Sequence, residues 1–284
     1  MRKILFVISV IMGLYSCSSV PITGRQQLSL VSDQEVLSLS LQQYGDYIKT
    51  AKKSTDKTAT ALVVKVGQKI AGAVEAYFKA TGQEALIAGY QWEFNLIDDS
   101  QVNAFCMPGG KIVVYTGILP YTKDETGLAV VLGHEVGHAI AKHANERMSQ
   151  QMIVQGVGTG VGALLSKGSS TLQTIGSTVY GLGTELGVML PFNRKQELEA
   201  DRLGLVLMAI AGYDPNAAIP FWERMSQQGG SNMELLSTHP SDATRIAEIR
   251  KEIPEAMEYY NSIWGKGATT NPAQNGKTSN DWHF

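Results

Sequence analysis

Within GHEVGHAIAKH, residues 133–143, His134 and His138 stand four positions apart. At about 100° per residue, that spacing puts both imidazoles on one face of a helix, where they can reach a single ion. The flanking Val130, Val131, Leu132, Val136 and Ile140 predict that this helix is buried. Any fold for the chain must therefore build its core around a metal position. Glu135 follows the first histidine and sits beside the ion without being forced onto it, as a general base acting on water requires. Thr122 with Glu125 offers a helix cap, and the helix is predicted to run to about residue 150. On a continuous helix His143 lies about 180° round from His134 and points away from the ion.

A catalytic zinc usually has three protein ligands and one open position. The pattern H-E-x-x-H-x-x-G-x-x-H is excluded, because positions 141 and 144 are both Ala. The remaining option is an acid from a second helix, and NRKQELEADRLG, residues 193–204, supplies candidates. Glu197 and Asp201 fall one turn apart on one face, whereas Glu199 lies about 160° to 200° from both. Asn193 is placed to cap this helix, which is predicted to end near Ala211. His239 precedes Pro240, so it belongs to a non-helical segment able to lean over a cleft.

The other segments predict an α+β fold, mostly helical, with a small antiparallel sheet next to the helix carrying the histidines. Ser32 and Glu35 form a capping box for a helix to about residue 48, and a second apolar helix spans Thr58 to about Ala80. YQWEFNLID, residues 90–98, alternates as a strand does, and two apolar runs flank Pro108-Gly109-Gly110 as a hairpin. Asp214-Pro215 opens a further helix, and another after Pro240 carries Ile246, Ile249 and Ile253 on one face. Residues 151–190 hold nine glycines and read as a helical lid, while the polar, Gly- and Pro-containing tail at 265–284 reads as disordered.

The start, MRKILFVISVIMGLYSCSS, has a basic beginning and then an apolar run from Ile4 to Leu14. Residues 1–16 read as an export signal, with Cys17 in a lipobox-like context as the lipidated residue. Residues 17–31 read as an extended leader, and 32–264 as the folded domain. Cys106 is the one other cysteine, so no disulfide framework is expected. The expected location is a bacterial cell envelope, lipid-anchored and facing the periplasm, with Ser18 favouring the outer membrane. A net charge of −2 with both signs interspersed excludes a nucleic-acid binder.

HEVGHAIAKH followed by ELEAD resembles the zinc metallopeptidase family that contains the CAAX prenyl proteases, HtpX and the periplasmic BepA-like and LoiP-like enzymes. PITGRQQLSLVSDQE, NAFCMPGGKIVVYTGIL, LGVMLPFNRKQELEAD and LSTHPSDATRI extend the resemblance from Pro21 to about Ile253. It implies a gluzincin fold and one zinc ion on His134, His138 and Glu197, with Glu135 as base. It makes Asp201 a carboxylate that orients a ligand imidazole, and gives His239 the task of stabilising the oxyanion or occluding the zinc. Arg245 is then either a support for the same developing charge or simply the partner of an acid, and Asn103 and Ala104 belong to an edge strand that holds an extended peptide. The resemblance implies an endopeptidase acting on unfolded or misassembled envelope proteins, with envelope assembly machinery as a partner. A latent or chaperone-like zinc lipoprotein is the rival reading.

Overall fold

The computed structural model describes residues 17–159, 174, 193–227, 234–239 and 243–265. The predicted signal segment, most of the glycine-rich lid and all but the first residue of the tail lie outside the described residues.

The leader is not simply extended. Its residues form a hairpin in which β1 (Cys17–Ser19) pairs antiparallel with β2 (Gln26–Leu28). Ile22 and Gly24 both take positive φ in the intervening turn. Three-residue strands have too few positions to display an alternation, which is why the sequence pattern misses them.

Helix α1 (Asp33–Thr50) begins with the predicted capping box between Ser32 and Glu35. Helix α2 (Lys57–Ala80) buries Val63, Val66, Ile70, Val74 and Phe78 along one face. Strands β3 (Glu93–Ile97), β4 (Ala104–Met107) and β5 (Lys111–Tyr115) then form a sheet in the order β3, β5, β4. The predicted hairpin is the β4/β5 pair, turned by Gly109 and Gly110 at φ of 92° and 79°. These φ values suit glycine, which has no Cβ to clash. The third strand joins differently: β3 runs parallel to β5, so the sheet is mixed where a purely antiparallel one is predicted. The loop at 98–103 carries the chain across the sheet, so β4 takes an outer position and β5, buried throughout, fills the middle.

A short helix, α3 (Leu119–Thr122), precedes α4 (Glu125–Ile140), whose cap is Asp124 accepting from the Gly127 amide. Thr122, the predicted cap, ends α3 instead. The predicted continuation of α4 to residue 150 is also corrected. The helix stops at Ile140, Lys142 adopts a left-handed φ of 57°, and α5 (His143–Thr159) begins immediately. Glycine usually marks such a stop. A lysine there leaves nothing in the sequence to read.

Helix α6 (Arg194–Ile210) starts at Asn193, which closes a capping box with Gln196. It crosses α4 with the two backbones in contact: a Cβ on Gly204 would lie 2.8 Å from the Gly133 carbonyl carbon, and one on Gly137 would lie 2.7 Å from the Ala200 oxygen. Leu128, Leu132, Val136, Leu203 and Leu207 fill the space around this crossing. A 3-10 turn at Pro215–Ala217 leads to α7 (Ala218–Ser226), followed by α8 (Glu234–Thr238) and α9 (Ala243–Trp264), which buries Ile249 and Ile253. Among the described residues no helix is long and apolar enough to cross a membrane.

Candidate active site

The glycine crossing brings the inward face of α4 against the first turns of α6. His134, Glu135 and His138 come from α4, Glu197 and Asp201 from α6, His239 from the residue after α8, and Arg245 from the start of α9. Each is at most 4% exposed. The Nε2 atoms of His134 and His138 lie 3.1 Å apart. His239 Nδ1 is 3.2 Å from His134 Nε2 and 2.9 Å from Glu197 Oε1, and His138 Nε2 is 3.3 Å from that oxygen.

Those separations test whether a metal fits. Donors about 2.0 to 2.1 Å from a tetrahedral ion stand roughly 3.3 Å from one another. The four residues therefore present one nitrogen or oxygen each at the spacing of a tetrahedral shell. Charge agrees: Glu135, Glu197 and Asp201 are three buried carboxylates, and Arg245 is the one guanidinium among them. With the imidazoles neutral, as metal ligands must be, these groups sum to −2, a charge that a divalent cation would balance. Glu135 Oε1 is also buried without a hydrogen-bond partner.

The predicted roles of Asp201 and Arg245 separate here. Asp201 Oδ1 lies 2.9 Å from His134 Nδ1, the ring atom facing away from the donor cluster. A carboxylate in that position fixes the tautomer and orientation of the ring. Arg245 grips Asp201 with Nε at 2.7 Å and Nη2 at 2.8 Å, stands 2.9 Å from Glu197 Oε2, and donates to the His239 carbonyl. It stacks 4.0 Å over the Trp222 ring. With its guanidinium occupied in this way, Arg245 braces the two carboxylates.

Burial disfavours charge throughout, and the partners decide the outcome. It lowers His134, but Asp201 outweighs it and raises the imidazole to about 9. It holds His138 and His143 below the usual imidazole range. Burial would raise Glu197 and Asp201, yet His239 and Arg245 hold the first, and Arg245 and His134 the second, below the ordinary carboxylate range. For Glu135, burial prevails and lifts the carboxyl.

On a continuous helix His143 would point away from the donors. Because the helix breaks at Lys142, its ring turns back, and its Nδ1 lies 2.8 Å from His138 Nδ1. Its Nε2 lies 2.9 Å from Glu199 Oε2. Glu199 does sit on the other face of α6 from Glu197, as predicted, but that face is buried too. Arg25 and Thr23 from the leader both donate to it. Ala104 opens β4 beside α4, and both Asn103 and Ala104 have buried side chains. Leu235, at the start of the segment leading to His239, donates its amide to the Val102 carbonyl at 2.9 Å. Cys106 on β4 is a free thiol, pushed up by burial and by the nearby Glu135.

Two histidines and a glutamate thus converge from crossed helices, beside a second buried glutamate. The profile of peptidase family M48 matches residues 68–253, well over half of the chain. The chain belongs to peptidase family M48. The matched M48 region contains every residue of the cluster. Among M48 relatives, the mitochondrial metalloendopeptidase OMA1 of Schizosaccharomyces pombe is 39% identical over 183 residues, covering 61% of this chain and 52% of that protein. The Saccharomyces cerevisiae protein of the same name is 30% identical over 256 residues, covering 84% and 70% respectively. The beta-barrel assembly-enhancing protease of Escherichia coli is 32% identical over 170 residues, covering 56% and 34%. This chain spans about half the length of the first of these relatives. The set corrects the expected location. The relatives that match a larger share of this chain bear mitochondrial names and the bacterial one matches a smaller share, so a lipid-anchored place in a bacterial outer membrane is not supported.

Proposed function

We propose that this chain is a zinc-dependent endopeptidase that cleaves unfolded or misassembled proteins, with one ion per chain on His134, His138 and Glu197. The observation that carries the reading is the spacing of the donors from α4 and α6 around one buried point. Zinc held there supplies Lewis acidity toward a peptide carbonyl and a water molecule. Glu135 takes the proton of the attacking water and passes it to the leaving amine, and its buried Oε1, without a hydrogen-bond partner, is free to accept that proton. The outer strand β4 offers main-chain donors and acceptors beside α4, a way to hold an extended peptide that reads little sequence.

A latent form is the second reading, and one observation favours it. His239 fills the fourth corner of the donor cluster, where an open position is needed for catalysis. Its segment is also tied to the entrance of β4 through Leu235 and Val102. On this reading the arrangement is a closed resting form, and His239 must swing away before substrate enters.

The test is incubation of the protein with an unfolded substrate, with and without chelator, beside Glu135→Gln. Chelator-sensitive cleavage that is absent from Glu135→Gln is expected. Cleavage that survives either treatment would refute the mechanism.

A further inference from the structure

We propose that His143, Glu199 and Arg25 are positioning residues for His138, dictating which of its ring nitrogens carries the proton. The proposal rests on the reading that His134, His138 and Glu197 hold the metal.

Two ring nitrogens 2.8 Å apart share a single hydrogen, so either His138 or His143 donates across that contact. The other end of His143 decides which. Its Nε2 faces Glu199 Oε2 at 2.9 Å, and an ionised carboxylate only accepts hydrogen bonds. The Arg25 Nε, which can only donate, reaches that same Oε2 at 2.7 Å and the Thr23 hydroxyl donates to Oε1, so both carboxylate oxygens act as acceptors. His143 therefore carries its proton on Nε2 and presents a lone pair at Nδ1. The shared hydrogen belongs to His138 Nδ1. His138 Nε2 is left unprotonated, aimed at Glu197 and His134, in the form a metal requires.

The two histidines of α4 thus receive the same orientation by different routes. His134 meets Asp201 directly. His138 meets its carboxylate through an interposed imidazole, which is in place only because α4 and α5 are separate helices. The leader hairpin guards that break. Gln27 donates to the Ala141 carbonyl at 2.8 Å, and Arg25 reaches Glu146 with Nη1 and Nη2 at 2.8 and 2.9 Å. Glu146 in turn accepts from Gln196, the neighbour of Glu197. The leader is by this account a working part of the metal site.

The experiment uses the full chain, zinc-free and zinc-loaded. Long-range proton–nitrogen NMR spectra of the wild-type imidazoles report the tautomers without any substitution. His143 is expected as the Nε2–H form and His138 as the Nδ1–H form, and the opposite assignment of His143 overturns the proposal. Zinc affinity, measured by competition with a chelator, should fall roughly 10- to 100-fold in Glu199→Gln, as for other groups that orient a metal ligand. An amide donates as well as accepts, so His143 should then populate both tautomers. Arg25→Gln should weaken binding in the same direction, and the double variant should bind no worse than Glu199→Gln alone. Wild-type affinity and a single His143 tautomer in Glu199→Gln overturn the proposal, and additive losses in the double variant overturn the part given to Arg25. Zinc uptake by wild type that is lost in His134→Ala supports the metal assignment separately. If wild type takes up no zinc, that assignment fails, and the proposal fails with it whatever tautomers are found.

Discussion

Gly204 of α6 lies so close to Gly133 of α4 that a Cβ on it would stand 2.8 Å from both the Gly133 carbonyl carbon and the His134 amide nitrogen. Neither neighbour is a flexible side-chain end, so backbone must move to admit even a methyl group. Gly204→Ala should cost roughly 1–3 kcal/mol, the scale of overpacking in a tight core, and should weaken metal binding because the crossing sets the His134 to Glu197 spacing. Urea unfolding together with zinc titration checks this. An alanine variant equal to wild type in both would show that the helices do not depend on this contact.

The break after α4 depends on one residue in a conformation that L side chains disfavour. Lys142→Gly should retain the fold, since glycine takes a φ of 57° freely. Lys142→Ile should be less stable than Lys142→Gly by about 1–2 kcal/mol, the cost of the left-handed region for a residue with a Cβ. Thermal unfolding of the pair measures the difference, and equal midpoints would count against a left-handed residue here.

His239→Ala separates the open and closed readings. If the fourth donor holds the enzyme latent, the variant should cleave an unfolded substrate faster than wild type, and chelator should abolish that gain. If His239 instead serves the oxyanion, the variant should be slower, by roughly the 10²- to 10³-fold seen when one oxyanion donor is removed. Initial rates at saturating substrate decide between them, and an unchanged rate would dismiss both roles.

Glu146 provides a pH dependence remote from the metal donors. Burial alone would raise its carboxyl, but hydrogen bonds from Arg25 and Gln196 hold it below its ordinary value of 4.5. A carboxyl whose folded pKa is depressed contributes stability that is complete above its unfolded pKa and disappears as pH falls through the folded one. Wild type should thus be more stable than Glu146→Gln at pH 7, and the gap should close as the pH drops below about 4.5. Thermal midpoints of the two proteins between pH 7 and pH 3 test the sign; a gap that widens on acidification would contradict it.

Most of the donor set is legible without coordinates because it rests on helical repeats. The four-residue spacing of His134 and His138, and of Glu197 and Asp201, follows from about 100° per residue and needs only that each segment be helical. Caps at Ser32 and Asn193 are equally local. Pairing Glu197 with the two histidines needed the resemblance to a known family, since nothing in the spacing within one helix says which second helix will cross it. The glycines that permit the crossing were present in the sequence but carry no partner label.

His143 and Arg245 are legible only in part, for opposite reasons. His143 points away from the donors only on a continuous helix, and a left-handed lysine leaves no mark in a pattern of apolar residues. The resemblance puts Arg245 at the site, but its partners emerge only once Asp201 and Glu197 stand within 3 Å of its guanidinium. The leader gives no apolar period to read, so nothing in it announces that Gln27 is buried with its amide donating to the Ala141 carbonyl.

What the sequence determined by itself is the local chemistry: two imidazoles on one helical turn, a base between them, and a pair of carboxylates on another helix. Tertiary structure decided how those ligands are held, through the glycine crossing, the helix break and the leader hairpin. Helix geometry repeats every few residues and can be read along the chain. Tautomers, close approaches and buried ion pairs arise between residues more than a hundred positions apart, as Arg25 and Glu146 are, and exist only once the core has closed around them.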